Sequence, residues 1–339
     1  MSIKHEVDEA VSPRSLRLKR ARTDEEPTGT GVDANWTQFM ELKKHEMIWY
    51  EDRNIVLVAQ QTVAFKVYRG ILSRRSEVFR GMFAKEHKTG DMVMDGCPVF
   101  EVSDRPTDLA HFLSALFDRT YFDSSQCSFD MLASMLRLGT KYRIEDLRGG
   151  ALTRLNHCFP PRLDAWTLNK KDRDQLIKDP SVIVGIANLA SELDLKHILY
   201  LSLYECCQIP ARTLFEGYKH LDGSVEKLDW DLMGSCVEGL HSLFEESFDI
   251  TTGCIEAVRP SSEQCARPNC PGLARSMSGK VGPSTPRPDP LVDRFTSSRL
   301  SVFGAYCDNC VKFLGEKYNA GRLSLFARIL DGTVFPISE

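Results

Sequence analysis

Hydrophobic and polar residues follow two strand-like patterns near residue 60. The continuous apolar run of residues 54–60, NIVLVAQ, predicts a strand that is buried on both faces. Residues 62–69, TVAFKVYR, alternate apolar and polar positions, which predicts a second strand with one buried face. The Gln60-Gln61 link between them is not a dipeptide favoured in tight hairpins, so the expected pairing of the two strands rests on the pattern.

The next stretch predicts a helix, a strand and another helix. Residues 70–83, GILSRRSEVFRGMF, carry apolar side chains near helical spacing, with charged residues on the other side, and predict one helix. Residues 97–104, CPVFEVSD, predict a third short strand. Pro106 suits the first turn of a helix whose apolar stripe ends at Phe117. This order of elements, followed by helical pairs, indicates an α+β domain with a small sheet flanked by helices.

An abrupt break separates two of the later helices. Ser128 is placed to cap a helix with one apolar side, and that pattern breaks at a glycine within LGTKYRIEDLR, residues 138–148. Tyr142 supplies the last apolar contact of the first helix, Ile144 begins a tight turn, and Leu147 starts the second helix. The stretch is therefore predicted to be two helix ends that meet at a sharp reversal.

Helices dominate the pattern after Pro160-Pro161. Asp179-Pro180 fits a helix start, and the apolar run that follows is too long for one straight helix, so a break is expected at Asp194. Four parts are predicted: a disordered tail over 1–34, an α+β domain with its N-terminal extension over 35–158, a mostly α-helical region over 159–255, and a cysteine-bearing segment over 256–339 with a flexible linker near 276–290.

The composition excludes several classes of protein. The net charge of −4 gives no basic excess of the kind that nucleic acids or anionic membranes attract. No apolar run approaches the roughly 20 residues of a membrane helix, and the N-terminus lacks the apolar core of a secretory signal, so an intracellular protein is expected. One basic cluster lies in the tail, and it is either a nuclear import signal, which favours the nucleus over the cytoplasm, or a solvated charge cluster. Its residues are Arg17, Lys19, Arg20 and Arg22.

Four motifs in this order resemble the BTB/POZ domain, and most closely the large fungal set of BTB proteins. They are HEMIWYEDRNIVLVA, FKVYRGILSRRSEVFRGMF, GCPVFEVSDRPTDLAHFLSALF and LGTKYRIEDLR, and they span about residues 45–158. The last is similar to the family's characteristic helix-turn-helix junction. One departure is Tyr68, where the family usually carries histidine. A tyrosine can still bury an aromatic ring there, so only a hydrogen bond specific to the histidine is in question.

The resemblance implies a protein-interaction module that forms a homodimer through its first helix and an N-terminal extension. Here these correspond to residues 70–83 and 35–47. The apolar residues of the extension either face a partner chain or pack on their own domain; they are Trp36, Phe39, Met40 and Leu42. The resemblance also raises recruitment of a cullin-type ubiquitin ligase. In the corresponding loop Ala84 stands two residues before Glu86, where a large hydrophobic residue is expected, so that motif is missing or degenerate.

Four of the 11 cysteines have the spacing of a zinc site. Cys265-x4-Cys270 and Cys307-x2-Cys310 are two close pairs separated by 36 residues, and two such pairs supply the four thiolates that structural zinc prefers. Cys254 could replace one ligand. The alternatives are four isolated reduced thiols or, less favoured, a redox pair. The other cysteines are predicted to be small buried hydrophobes: Cys97, Cys127, Cys158, Cys206, Cys207, Cys236 and Cys254.

No catalytic motif stands out in the sequence. It has no Gly-rich phosphate loop, no His-Glu-x-x-His and no Gly-x-Ser-x-Gly. His111, His157 and His197 lie in amphipathic helices, where a histidine is more often structural than catalytic. The predicted function is a non-enzymatic interaction adaptor, with transcriptional regulation as a candidate process. The rival hypotheses are a substrate adaptor of a cullin-type ubiquitin ligase and a metal- or thiol-dependent enzyme that uses the C-terminal cysteines.

Overall fold

A five-stranded mixed sheet forms the first part of the fold. Its strands are β1 (Lys43–Trp49), β2 (Ile55–Ala59), β3 (Val63–Val67), β4 (Val93–Met94) and β5 (Cys97–Val102). Their order across the sheet is β1-β3-β2-β5-β4, with β1 parallel to β3 and β2 parallel to β5. The computed structural model describes residues 42–84, 92–118, 120–123, 127–256, 270, 289–292 and 307–337.

The two central strands pair as the hydrophobic pattern predicts. Every residue of β2 is buried, which confirms burial on both faces. The prediction of one buried face for β3 is wrong, because Ala64 packs with Val56 and Val58 in a second, smaller cluster on the other face of the sheet. Gln60 and Gln61 adopt positive φ angles of 44° and 55°, so they form the tight turn that their residue types did not indicate.

Strand β1 has no counterpart in the sequence prediction. It lies at the edge of the sheet and pairs with β3 of its own chain. Leu42, just before it, packs on the smaller cluster of the same sheet. The own-domain interpretation therefore holds for Leu42, whereas Trp36, Phe39 and Met40 lie outside the described residues.

The single helix predicted over 70–83 is two helices, α1 (Arg69–Arg75) and α2 (Glu77–Phe83). Ser76 separates them in an extended conformation, with φ −138° and ψ 124°. Its hydroxyl accepts a hydrogen bond from Phe79 N (3.1 Å) and donates one to Tyr142 O (2.6 Å). The single-helix prediction is wrong because this cap and this long-range bond outweigh a continuous helical pattern.

Four helices follow the sheet: α3 (Pro106–Phe117), α4 (Thr120–Asp123), α5 (Phe129–Lys141) and α6 (Glu145–Cys158). They share one hydrophobic core with the larger face of the sheet. Pro106 is the first residue of α3, and the Ser128 hydroxyl accepts a hydrogen bond from Met131 N (3.3 Å), so both predicted helix starts are confirmed.

The reversal between α5 and α6 depends on a close approach at Gly139. A Cβ atom built there would lie 3.0 Å from the Cβ of Arg148, which leaves little room for a side chain. Arg143 takes a positive φ of 53°, and Ile144 N donates to Gly139 O at 2.9 Å. Tyr142 is buried and its hydroxyl donates to Asp104; burial and that carboxylate raise the pKa of Tyr142. The predicted sharp reversal is thereby confirmed.

The helical region contains α7 (Leu163–Leu168), α8 (Lys170–Leu176), α9 (Val182–Glu192), α10 (Lys196–Cys206) and α11 (Ala211–Glu216). Asp194 lies between α9 and α10 with a φ of 51°, which confirms the predicted break. The apolar residues predicted to form the core of this region are all buried: Val184, Ile186, Ala187, Leu189, Ala190, Leu199, Leu203 and Tyr204.

A short hairpin and two long helices complete the fold. The hairpin strands β6 (Tyr218–Lys219) and β7 (Val225–Glu226) precede α12 (Trp230–Glu256), and α13 (Asp308–Leu330) packs on α10 and α12. Arg105 at the start of α3 pairs with Asp222 in the hairpin turn at 2.8 Å. Among the helices that the structure describes, none combines the length and the apolar character needed to cross a membrane.

Candidate functional site

Three cysteine sulfurs meet at the start of α13. The Sγ atoms of Cys270, Cys307 and Cys310 all lie within 4.8 Å of one another. Their residues are 0%, 5% and 5% exposed, so the cluster is shielded from solvent. The structure thus brings three of the four predicted zinc ligands together, Cys270 and the two cysteines of CDNC, across the 36-residue separation. Cys265 and the side chain of Cys254 lie outside the described residues.

The local backbone positions this cluster. Cys307 directly precedes α13 with φ −77° and ψ 159°, and Cys310 lies in the first turn, so a two-residue spacer brings both sulfurs to one side. Cys307 N donates to the Cys270 sulfur at 3.4 Å. A helix N-terminus carries partial positive charge, and this charge together with an N–H···S bond stabilises thiolates. The start of α13 therefore places a backbone donor and partial positive charge beside the sulfurs of the cluster.

The geometry fits zinc. A tetrahedral ion with zinc–sulfur distances of about 2.3 Å needs its sulfurs roughly 3.8 Å apart, and the observed limit of 4.8 Å allows this with small side-chain adjustments. Three thiolates leave one coordination position for a fourth ligand. A fourth protein thiolate would make the site structural, whereas water in that position would make it catalytic.

A second contact holds the chain between the cysteines against the helices. Leu291 is 3% exposed, and its carbonyl oxygen accepts two hydrogen bonds from Arg322 of α13, at 3.0 and 2.6 Å. The hydroxyl of Tyr204 donates to Asp289, and burial raises the pKa of Tyr204. Residues 289–290, the end of the predicted flexible linker, lie in this anchor, which the sequence pattern did not indicate.

Another trio of cysteines lies in the core between α10 and α12. Cys206, Cys207 and Cys236 are buried, and the Cys207 sulfur donates to Cys236 O at 3.4 Å. Hydrogen bonds from Cys206 and Cys207 lower the pKa of Cys236, and the same bonds raise the pKa of both donors. These three residues, Cys97 and Cys158 are buried as predicted, whereas Cys127 is only half-buried.

One cleft combines a thiol with a histidine and a carboxylate. It has a volume of about 300 Å³ and is lined by residues that include Cys158, His157 and Asp172. Both nitrogens of His157 are already engaged, Nε2 with Asp172 at 2.8 Å and Nδ1 with Asn169 at 3.3 Å. Burial raises the pKa of Cys158 to about 11. A protonated thiol without an imidazole to activate it is a poor nucleophile.

The other two singled-out histidines also have side-chain partners. His111 Nδ1 lies 2.8 Å from the Tyr121 hydroxyl, and His197 Nε2 lies 3.0 Å from Asn156 Oδ1. Desolvation by burial lowers the pKa of both imidazoles. These contacts are those of structural histidines, as the sequence interpretation expected.

The sheet edge at β1 offers a surface of a different kind. A groove of about 550 Å³ runs between β1 and α3, and its lining includes Met47, Thr107 and Tyr121. Met47 is 79% exposed, and Ile71 on α1 is 39% exposed. An edge strand beside an apolar groove can receive an extended segment of another chain. Glu86, the candidate cullin contact, lies outside the described residues.

Tyr68, the expected departure from the family pattern, has a clear place in the fold. Its hydroxyl donates to Asp52, and its ring lies against the guanidinium of Arg53. That guanidinium also lies 4.3 Å from the centre of the Tyr50 ring. The tyrosine therefore fills its position as an aromatic partner of a half-buried cation.

Comparison with known families assigns the part of the chain that forms the sheet and the first helices. The model of the BTB/POZ domain matches residues 49–151, which cover the sheet from β2 onward and helices α1 to α5 together with the first half of α6. Searches of curated proteins and of solved structures returned no match. The resemblance to the BTB/POZ domain is confirmed, as is the prediction of an α+β domain followed by a mostly helical region, whereas the closer similarity to fungal BTB proteins stays a prediction. This chain contains a BTB/POZ domain, a protein–protein interaction module.

Proposed function

We propose that the protein is a non-enzymatic adaptor that self-associates through its BTB/POZ domain and binds other proteins. The observation that carries this proposal is the match of residues 49–151 to an interaction module. The cleft chemistry supports a non-enzymatic role, because burial raises the pKa of Cys158 and His157 is engaged at both nitrogens. Transcriptional regulation is the process we propose for this adaptor, and the basic cluster of the tail supports a nuclear location.

The edge of the sheet is the surface we propose for self-association. β1 carries the 79%-exposed Met47 next to the groove, and α1 presents Ile71. Pairing of two edges would bury both apolar residues and satisfy backbone groups at the edge. Light scattering of the full chain at micromolar concentration should therefore give the mass of a dimer.

A matched pair of variants tests this surface. Met47→Glu places a charge on the β1 edge and should shift the mass towards the monomer. Val93→Glu changes another exposed apolar residue, 57% exposed, on the opposite edge strand β4 and should leave the dimer intact. A monomeric wild-type chain would remove self-association and leave a monomeric adaptor.

We also propose that the cysteine cluster holds one structural zinc ion, with Cys265 as the fourth ligand. The supporting observation is the set of three buried sulfurs within 4.8 Å. Elemental analysis of the purified chain should find about one zinc per molecule. Cys310→Ser should lose the metal, whereas Cys127→Ser, a half-buried cysteine outside the cluster, should keep it. Comparison of Cys265→Ser with Cys254→Ser identifies the fourth ligand, and a zinc-free chain that is indifferent to chelators would contradict the proposal.

The adaptor role for a cullin ligase is the alternative within the same class. It depends on Glu86, which follows the small Ala84 instead of a large hydrophobic residue. Purification of tagged full-length chain from cells, with mass spectrometry, separates the two hypotheses. Recovery of a cullin that is lost on Glu86→Ala would favour the ligase role, and imaging of the same tagged chain tests the nuclear location.

A further inference from the structure

The long helix α12 has two very different sides. It spans 27 residues, or about 40 Å. Its inner side carries Leu232, Cys236 and Leu243, which are at most 3% exposed, and it packs on α10 and α13. At 100° per residue, positions 230, 237 and 248 project to the opposite, outer side.

That outer side carries large apolar side chains among polar ones, where a solvated helix face is normally polar throughout. Trp230 and Val237 are 85% and 63% exposed and lie seven residues apart, and the half-buried Phe244 follows after another seven. Phe248, 52% exposed, extends the row by one turn. Large exposed apolar side chains aligned along one helix face mark an interaction site, since water contact with them is unfavourable. We name Trp230, Val237, Phe244 and Phe248 the outer row.

A row of acidic residues runs beside the outer row. Asp231, Glu238 and Glu245 are exposed and also lie seven residues apart. The α12 sequence contains neither lysine nor arginine. In the ion pairs that the structure describes, Glu245 meets His241 of the same helix at 3.3 Å. The outer face therefore combines an apolar row with a flank of negative charge, and we name these three acids the acidic row.

We infer that the outer face of α12 binds an amphipathic helix of a partner protein, one that carries an apolar stripe flanked by lysine and arginine. The seven-residue spacing over residues 230–250 provides three heptads, which suits side-by-side helix packing. A basic flank on the partner would complement the acidic row. A second copy of α12 would bring two acidic rows together, and such like-charge contact is unfavourable.

This surface is separate from the proposed self-association. It uses none of the residues of β1, α1 or the groove beside them. Experiments can therefore refute the self-association proposal without refuting the α12 inference, and the reverse. With both, the chain would have one interface in its BTB/POZ domain and another in its helical region.

Fluorescence anisotropy of labelled peptides on the full-length chain tests the inference. The probe is a three-heptad peptide with leucine at the a and d positions and lysine at e and g. Its matched control keeps every leucine and replaces each lysine by glutamate. We expect the lysine peptide to bind at least about tenfold more tightly than the glutamate peptide, with a difference that shrinks as salt is raised.

Two pairs of variants locate the site. Trp230→Ser/Val237→Ser should weaken lysine-peptide binding by about tenfold or more, while Leu168→Ser/Leu221→Ser, at residues 82% and 77% exposed elsewhere, should not. Glu238→Lys/Glu245→Lys should reverse the preference so that the glutamate peptide binds better. Asp174→Lys/Glu216→Lys is the charge-matched control. Circular dichroism of each variant shows that the fold is retained.

Three outcomes would overturn the inference. The first is equal binding of the two peptides, and the second is lysine-peptide binding that survives Trp230→Ser/Val237→Ser. In the third, light scattering shows that this double variant abolishes self-association while Met47→Glu does not, which would identify a second copy of the chain as the occupant.

Discussion

Replacement of Gly239 by alanine tests whether the inner side of α12 is committed to the C-terminal residues. A Cβ atom at position 239 would lie 2.1 and 2.2 Å from two ring carbons of Phe335 and 3.2 Å from Val334 O. Phe335 is 0% exposed, so its ring has no solvent-filled space into which it could move. The substitution must either push the ring out of its pocket or separate the C-terminal residues from α12.

The two opposing effects can be weighed. Glycine to alanine inside a helix stabilises by about 1 kcal/mol. Full burial of a phenylalanine contributes about 1.5–3 kcal/mol, most of which is lost if the ring is expelled. We therefore expect Gly239→Ala to lower the free energy of unfolding by about 0.5–2 kcal/mol. A Cβ atom at Gly234, on the outer side, would meet no neighbouring atom within 4 Å. Gly234→Ala should therefore raise the free energy of unfolding by about 1 kcal/mol.

Urea denaturation of the full chain, followed by far-ultraviolet circular dichroism, measures both variants under one set of conditions. The expected signature is opposite signs, with a separation of about 1.5–3 kcal/mol between the two variants. Equal stabilisation by both would refute the reasoning, because it would mean that Phe335 does not pack on α12. Phe335→Ala provides an internal check: its cost should be smaller in the Gly239→Ala background, where the ring is already displaced.

Three further predictions concern contacts within the helical core and the BTB/POZ domain. Arg173→Met should cost roughly 3 kcal/mol in the same assay, because it leaves Glu205 and two buried carbonyls without their donor; a loss no larger than that of Arg162→Ala, at an exposed ion pair, would contradict it. Ser76→Ala should cost about 1–2 kcal/mol through loss of the α2 cap and the bond to Tyr142 O, and Ser76→Thr should recover part of it. Desolvation raises the pKa of Asp222, but hydrogen bonds from Ser224 and Arg105 outweigh this effect and hold the pKa well below the usual 3.8. The stability that the ionised Asp222 contributes is therefore present above pH 3.8 and is lost as the pH falls further. Asp222→Asn should therefore reduce the dependence of the melting temperature on pH below pH 3.8. An unchanged dependence would show that the pair of Arg105 and Asp222 contributes nothing to stability.

Local sequence signals determined much of the BTB/POZ domain. The apolar run of β2 can leave water only if both faces of the strand are buried. Pro106 and Ser128 mark helix starts through contacts within one turn. The reversal at residues 138–148 is visible because a glycine, an aromatic residue and a charged turn occur together. The same holds near the C-terminus, where CDNC at the start of a helical pattern indicates half of a metal site. In each case the deciding contacts are a few residues apart in the chain.

Contacts between distant residues decided the rest. The break at Ser76 depends on Tyr142, 66 residues later, and the edge position of β1 depends on pairing with β3. No spacing rule states that Cys270 must meet Cys307, since a 36-residue separation permits many arrangements until the chain is anchored at Leu291. The seven-residue rows of α12 are present in the sequence. Only the packing of α10, α13 and Phe335 on its inner side decides which rows stay exposed, because a helix that is apolar on two sides can be buried on either.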